Sequence, residues 1–407
     1  MCTYYRFKKM KKILFIFHVS ELGGGSLCLL NIIKELDKSK FTPIVLLKNE
    51  GPLTVLLNKM GVSVFIENTI SPIPYNQSLF SLNSIKQYYS TLSSLKLYKK
   101  WFLKINPDIL HVNTMMMYPY AQLAYKLNKK VIIHMREHWP KNEHQTQFSI
   151  ARYFINKYSD KIIAINKTSA IILNLPEKTE IVYDWIDFKG RDGKVNLKEE
   201  YGIDVNKEKV FLFLGGAQLI KGAYEVISVF SKKTIGNNVK LLVIGLEDIE
   251  FDTTGLKAII KKGLRKINLP VKGDKLKSLL QNNKNIIKLP KVSDVLSLYQ
   301  QVYCVVSFPT IPHAILPIAE AIWNRTPVIS ADTPEAREYS FNGASAKLVP
   351  INNIKLLEKA ILYAINNEEN FKIKTGNGVE HIKNTFNKKI NSSKLNRIYS
   401  DMLDKEN

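Results

Sequence analysis

The fold class this sequence predicts is α/β, with two consecutive units that are each a doubly wound sheet of largely parallel strands. Three observations predict it. Short apolar runs, suited to strands buried on both faces, alternate with helix-period segments through both halves of the chain. The alternation breaks once, after Asp187, at the polar, glycine-bearing stretch FKGRDGKVNLKEEYG, and then restarts. Residues 301–331, QVYCVVSFPTIPHAILPIAEAIWNRTPVISA, read as strand, polar loop, short helix, strand. That is the layout of a ligand crevice at the carboxyl edge of a parallel sheet.

The elements follow in order. Met10-Lys11-Lys12 precedes ILFIFHV, which runs into Glu21 and three glycines without a small-residue cleavage site. It reads as a first buried strand, Ile13–Val19, and not as a signal peptide, with Met10 the working start. Further strands are expected over Thr42–Leu47, Val62–Ile66, Ile109–Val112, Val131–His134, Lys161–Ala164 and Glu180–Tyr183. Helices are expected over Ser26–Leu36, Leu53–Lys59, Leu82–Ile105, Tyr118–Leu127 and Phe148–Tyr158. After the linker come strand Val210–Leu214, helix Ala223–Lys232, strand Val239–Ile244, a Lys-rich stretch, strand Ile286–Lys288 and helix Val292–Gln300. Residues 354–404 read as helices. The expected domains are 10–188, 189–380 and a C-terminal helix, 381–407.

Composition narrows the function. A chain of 407 residues is long enough for two cores. Cys2, Cys28 and Cys304 lie far apart without metal-type spacing, which fits a reducing compartment and speaks against disulfides and zinc. No apolar run approaches the ~18 residues of a membrane span. The formal charge is +23, yet only eight of the 59 basic residues are Arg. With no Arg-rich groove element, zinc module or aromatic RNA-binding motif, nucleic acid is not the expected partner. The stretch Lys86–Lys104, KQYYSTLSSLKLYKKWFLK, mixes Lys with aromatics at helical spacing. Such a face suits an anionic membrane surface, or else turns its rings into the core.

Several constellations carry chemistry. Gly23-Gly24-Gly25-Ser26 lies between the first strand and first helix, where glycine lets backbone amides approach an anion closely. The spacing is not GxGxxG, which disfavours nicotinamide and flavin. His134-Met135-Arg136-Glu137-His138-Trp139-Pro140 crowds titratable and aromatic residues onto the end of a buried strand, where ligands bind. Leu214-Gly215-Gly216-Ala217, then Lys221-Gly222, follows the first strand of the second unit. Pro312 and His313 precede Pro317, which is expected to open a helix whose free amides and dipole attract phosphate. Glu320, one turn in, is suited to accept two hydrogen bonds from the vicinal hydroxyls of a ribose.

The 312–329 segment resembles the nucleotide-binding signature of family-four glycosyltransferases, retaining enzymes of GT-B architecture with two facing Rossmann-like domains. Glu320-Ala321 and Thr326-Pro327-Val328-Ile329 match it, whereas Pro312 stands where the family carries its first Glu. Pro312-His313, Pro317 and Glu320-Ala321 are similar to a subgroup reading "PHFARPIIEA", and the REHWP string resembles bacterial surface-polysaccharide enzymes. Gly23–Ser26 resembles the family's "GG" turn, Ile181–Asp187 its "VYNGVD" boundary segment, and Thr333-Pro334-Glu335 its last cleft loop.

The resemblance implies a sugar transferred from a nucleotide diphosphate sugar to a lipopolysaccharide, capsule or O-antigen precursor, with no cofactor and no required metal. It places Lys221 and the amides near Pro317 on the diphosphate, with Gly216 where the family has Arg. Glu320 goes to the ribose and His134 to the sugar. Gly24 and Gly25 admit the ligand closely, Arg136, Glu137 and His138 face the acceptor side, and Gly215 and His313 complete the donor side. It also implies that the last helix crosses back onto the first domain. The expected location is cytoplasmic, with the Lys86–Lys104 stretch docking on the inner membrane face to reach a lipid-linked acceptor. Two alternatives stay open: a nucleotide-sugar epimerase on the same fold, and a non-catalytic sugar-binding or scaffolding relative.

Overall fold

The computed structural model describes residues 10–73, 81–139, 144–186, 195–246, 272–281, 283–292 and 294–404. Most of the interdomain linker, the stretch 140–143 and much of the Lys-rich stretch lie outside them. The chain forms two units: residues up to Trp185 together with Asn387–Asn407, and Ile186–Phe386. The return to the first unit falls beyond residue 380 because Val379–Thr385 is a helix of the second unit. Its Ile382 is buried, and the ring of Phe386 lies 4.8 Å from that of Tyr339.

The first unit holds seven strands: β1 (Lys11–Phe17), β2 (Phe41–Leu47), β3 (Ser63–Ile66), β4 (Ile109–Val112), β5 (Lys130–Met135), β6 (Lys161–Ala164) and β7 (Thr179–Ile181). Their order is β3-β2-β1-β4-β5-β6-β7, all parallel. Alternate residues feed two cores. Leu14, Ile16, Leu110, Val112 and Ile133 face one layer of helices. Ile13, Phe15, Ile109, Ile132 and Ile163 face the other, which includes Leu395, Ile398, Tyr399 and Met402 of the C-terminal helix Lys388–Asp404.

The second unit has β8 (Lys209–Phe213), β9 (Val239–Ile244), β10 (Ile286–Leu289), β11 (Cys304–Ser307), β12 (Val328–Ala331) and β13 (Lys347–Val349). The order β10-β9-β8-β11-β12-β13 is again parallel throughout. In both sheets the chain winds outward from the first strand, then returns to its other side. That reversal, at β1/β4 and at β8/β11, opens a crevice at the carboxyl edge.

Several elements differ from expectation, among them the unforeseen strand β13 and helix Lys167–Leu173. Of the expected helix Val292–Gln300, whose residue 293 lies outside the described residues, Leu296–Tyr299 is helical, and the Asp294 carboxylate accepts from the Leu296 amide at 3.1 Å. A helix over Lys272–Gln281 lies within the Lys-rich stretch and buries Leu276 and Leu280. The helix holding Glu320 begins at Leu316, so Pro317 sits within its first turn and does not open it.

Candidate functional site

In the second unit the loop leaving β8 is shaped by glycine. Gly216 has φ +53, and a Cβ there would stand 2.8 Å from the Gly245 carbonyl oxygen. Gly222 has φ +83, and a Cβ would overlap the Phe308 carbonyl oxygen just after β11. An Arg at 216 is therefore incompatible with this loop. A Cβ at Gly215 would overlap the Phe213 ring. The loops after β8 and β11 are joined where Thr310 N–H donates to the Ile220 carbonyl at 3.0 Å. The structure thus brings Gly215, Gly216, Lys221, His313 and Pro317 to one sheet edge.

Lys221 ends the single turn Leu219–Lys221. It is half-buried, and among the described residues its ammonium has no carboxylate or hydrogen-bond acceptor. Burial lowers its pKa. A cation taken from water without a counter-charge is a seat prepared for an anion. His313 Nδ1 lies 3.0 Å from the Ile311 carbonyl, a local turn contact. Glu320 accepts a 2.7 Å hydrogen bond from the buried Tyr299 hydroxyl on one carboxylate oxygen, which fixes its rotamer. Burial, then the Glu320 charge, raises the Tyr299 pKa, so the phenol stays a donor.

In the first unit Gly24 and Gly25 open the helix Gly24–Lys34. The Ser26 hydroxyl donates to the Glu21 carbonyl at 2.6 Å and accepts from the Gly23 amide at 2.9 Å, so the serine shapes the turn. Gly24 is exposed, and a Cβ there would meet nothing within 4 Å.

The strand ends of this sheet are tied by a buried polar layer. Arg136 donates to both Asp184 carboxylate oxygens at 2.7 and 2.8 Å and, through Nε, to Asn113 Oδ1 at 3.1 Å. Glu137 accepts from the Thr114 hydroxyl, from the Met115 amide at 3.0 Å and from the Arg136 amide at 3.1 Å. Burial outweighs those bonds and raises its pKa. Arg136 and Glu137 therefore brace β4, β5 and the segment after β7, where the sequence reading faced them toward the acceptor. His138 is half-buried just beyond, and Trp139 packs on Phe148 with ring centroids 5.1 Å apart.

His134 lies inside β5 and is 1% exposed. Its Nδ1 is 3.2 Å from His111 Nε2, and His111 Nδ1 is 2.7 Å from the Tyr399 hydroxyl. Burial, reinforced by Arg136, pushes His111 down to about 3 and His134 well below the usual imidazole range. Both are neutral at physiological pH. Asn113, Asp184, His111 and Tyr399 belong to this polar layer and were not singled out by the sequence. A signal existed for two of them: His111 interrupts the apolar run of β4, and Asn113 directly follows it.

Two parallel α/β units of this strand order define the two-domain Rossmann-like GT-B architecture. Residues 196–377, most of the second unit, match the family described as glycosyl transferases group 1. Solved structures agree on the fold. Alr3699/HepE from Anabaena, solved with UDP and glucose, is 19% identical with a TM-score of 0.72, over 96% of this chain and 100% of that one. Sucrose-phosphate synthase from Thermosynechococcus elongatus is 12% identical with a TM-score of 0.69, over 97% and 100%. A putative UDP-N-acetylglucosamine 2-epimerase from Listeria monocytogenes is 14% identical with a TM-score of 0.61, over 98% of each. No curated protein matches the sequence.

Proposed function

We propose that this protein is a glycosyltransferase that moves a sugar from a nucleoside diphosphate sugar, with retention at the anomeric carbon and without a metal ion, to a hydroxyl of a bacterial surface-glycan precursor. Lys221 carries the reading: a half-buried ammonium with no acceptor among the described residues, at the crevice-forming edge of a parallel sheet. Negative charge grows on the departing diphosphate as the glycosidic bond breaks, and a cation already out of water needs no reorganisation to meet it. The first-turn amides of Leu316–Trp323 add to that charge. Glu320, held by Tyr299, takes the ribose hydroxyls. His134 is assigned to the sugar, and Gly24 and Gly25 to close approach of ligand oxygens.

Binding of UDP, the nucleotide that Alr3699/HepE holds, tests this directly. Lys221→Ala should weaken UDP binding by about a hundredfold by calorimetry, the order expected for a buried charge contact. Glu320→Ala should cost about tenfold at the nucleoside. Both variants should abolish sugar incorporation, and undiminished incorporation in both would refute the assignment. An epimerase needs carboxylates free to move protons at the sugar. Two carboxylates at the strand ends of the first unit, Glu137 and Asp184, are instead held by Thr114, Met115 and Arg136.

A lipid-linked acceptor places the enzyme at a membrane surface, and the helix Leu82–Ile105 fits that role. Its buried face is Ser84, Thr91, Ser94, Tyr98, Phe102 and Ile105. The opposite face exposes Leu82 (88%), Tyr89 (75%) and Leu92 (61%), flanked by Lys86, Lys96, Lys99 and Lys100, and the helix contains no acidic residue. Among the described residues no helix is long and apolar enough to cross a membrane. Binding through this face is therefore interfacial, by shallow apolar insertion and attraction to anionic headgroups.

A further inference from the structure

We infer that Tyr399, on the C-terminal helix, is a positioning residue that holds His134 in its Nε2–H tautomer through His111, making His134 the centre of a subsite that only donates hydrogen bonds. The inference deepens the assignment of His134 to the sugar and rests on it. The three groups form an unbranched relay, Tyr399 hydroxyl to His111 Nδ1 at 2.7 Å and His111 Nε2 to His134 Nδ1 at 3.2 Å. Tyr399 and His111 are fully buried and His134 is 1% exposed.

With neutral imidazoles such a relay has two proton arrangements. If Tyr399 donates, His111 carries its proton on Nε2 and donates to His134 Nδ1, so the His134 proton stands on Nε2. If Tyr399 accepts, both imidazole protons shift to Nδ1. His134 Nε2 becomes a bare lone pair, and the phenolic proton is left with no acceptor among the described residues. The second arrangement strands two buried polar groups and the first strands one, so burial selects the first. The depressed pKa of both histidines keeps the doubly protonated forms out of play.

Among the described residues, His134 Nε2 then remains a donor without a partner. It is not alone. Asn113 Nδ2 and the Arg136 terminal nitrogen Nη2 are also buried, with no hydrogen-bond partner among the described residues. Asn113 follows Val112, the register partner of Ile133, so it lies beside His134, and its Oδ1 is taken by Arg136 Nε at 3.1 Å. Arg136 lies two residues beyond His134, just past the end of β5, and its Nε reaches Asn113. Three donors with no acceptor among them suit an oxygen-rich ligand. The Arg136 charge is already met by Asp184 at 2.7 Å, which favours uncharged hydroxyl oxygens over an anion. A pyranose ring, with hydroxyls on adjacent carbons, is the matching class.

Long-range 15N–1H spectra of the full-length protein labelled at histidine read the tautomer directly, with His134→Gln assigning the signal. The expected free-protein spectrum shows His134 neutral and protonated on Nε2. In Tyr399→Phe that preference should be lost, with kcat/KM down about tenfold, the order for one mispositioned hydrogen bond. His134→Gln, which keeps a donor, should retain more activity than His134→Leu. A free-protein spectrum with the proton on Nδ1 overturns the inference even if Tyr399→Phe fails to fold. So does a Tyr399→Phe spectrum identical to the parent's. Neither readout needs a sugar donor. Loss of transferase activity in the parent enzyme would therefore count against the proposed reaction and leave the tautomer result standing.

Discussion

Gly222 and Gly24 are the same amino acid held for opposite reasons. Gly222 has φ +83, and a Cβ there would overlap the Phe308 carbonyl, so its glycine is a folding requirement. Gly24 has open space around its Cα, so any cost of a side chain there would come from what approaches the loop. Gly222→Ala should lower stability by about 2–4 kcal/mol in urea unfolding, combining left-handed strain with the clash. Gly24→Ala should leave the midpoint unchanged while raising the KM of a substrate. A normal KM would remove Gly24 from the site. Arg136 tests the polar layer in the same way. Its ion pair with Asp184 spans 2.7 Å with side chains 9% and 17% exposed, so removing one partner strands a buried charge. Arg136→Met should cost about 3–5 kcal/mol, and adding Asp184→Leu should restore much of it. Equal destabilisation by the single and double variants would mean that Arg136 acts through packing alone.

The helix Leu82–Ile105 shows what a sequence can and cannot disclose. Its bounds were legible, because Ser81 caps the first turn by accepting from the Ser84 amide and Asn106 ends the helix in a left-handed turn at φ 48. Which way it faced was not legible. Aromatics lie on both sides, and the structure buries Tyr98 and Phe102 while leaving Tyr89 outside. The outward face predicts sedimentation with vesicles rich in anionic lipid and little with zwitterionic ones. Replacing Lys96, Lys99 and Lys100 by Glu should abolish the anionic binding, and Leu82→Ser with Leu92→Ser should weaken it without changing thermal stability. Retained binding in the Glu variant would dismiss this face as the docking surface. The site follows the same division. Lys221, Glu320 and His134 were visible because titratable residues follow apolar strand runs. The inward turn of Glu137 was not, since it depends on Thr114 and the Met115 amide from a neighbouring strand. Tyr399 carried no signal, lying 288 residues from its partner His111 on a helix of ordinary pattern.

That long-range pairing makes the first unit depend on the last helix and on pH. Leu395, Ile398, Tyr399 and Met402 are at most 4% exposed within its second core, so a chain ending at Phe386 would expose that sheet face. The same core holds neutral imidazoles. Burial depresses His18 to about 4 and His111 to about 3, and lowers His134 as well, with nearby Lys48 and Arg136 adding to the effect. A histidine depressed in the folded state takes its proton first in the unfolded chain, so the unfolded form binds more protons below the ordinary value of 6.5. Stability is therefore full above pH 6.5 and falls as pH drops toward the folded values. At pH 5 the loss should be about 2 kcal/mol for each of His18 and His111. Trp101, Trp139 and Trp185 belong to the first unit and Trp323 to the second, so tryptophan emission follows mainly the first. Its urea midpoint should drop steeply from pH 7 to 5. His111→Gln, lacking a titratable ring, should be less stable at pH 7 and show a shallower slope. A slope unchanged by His111→Gln would show that acid destabilisation enters elsewhere.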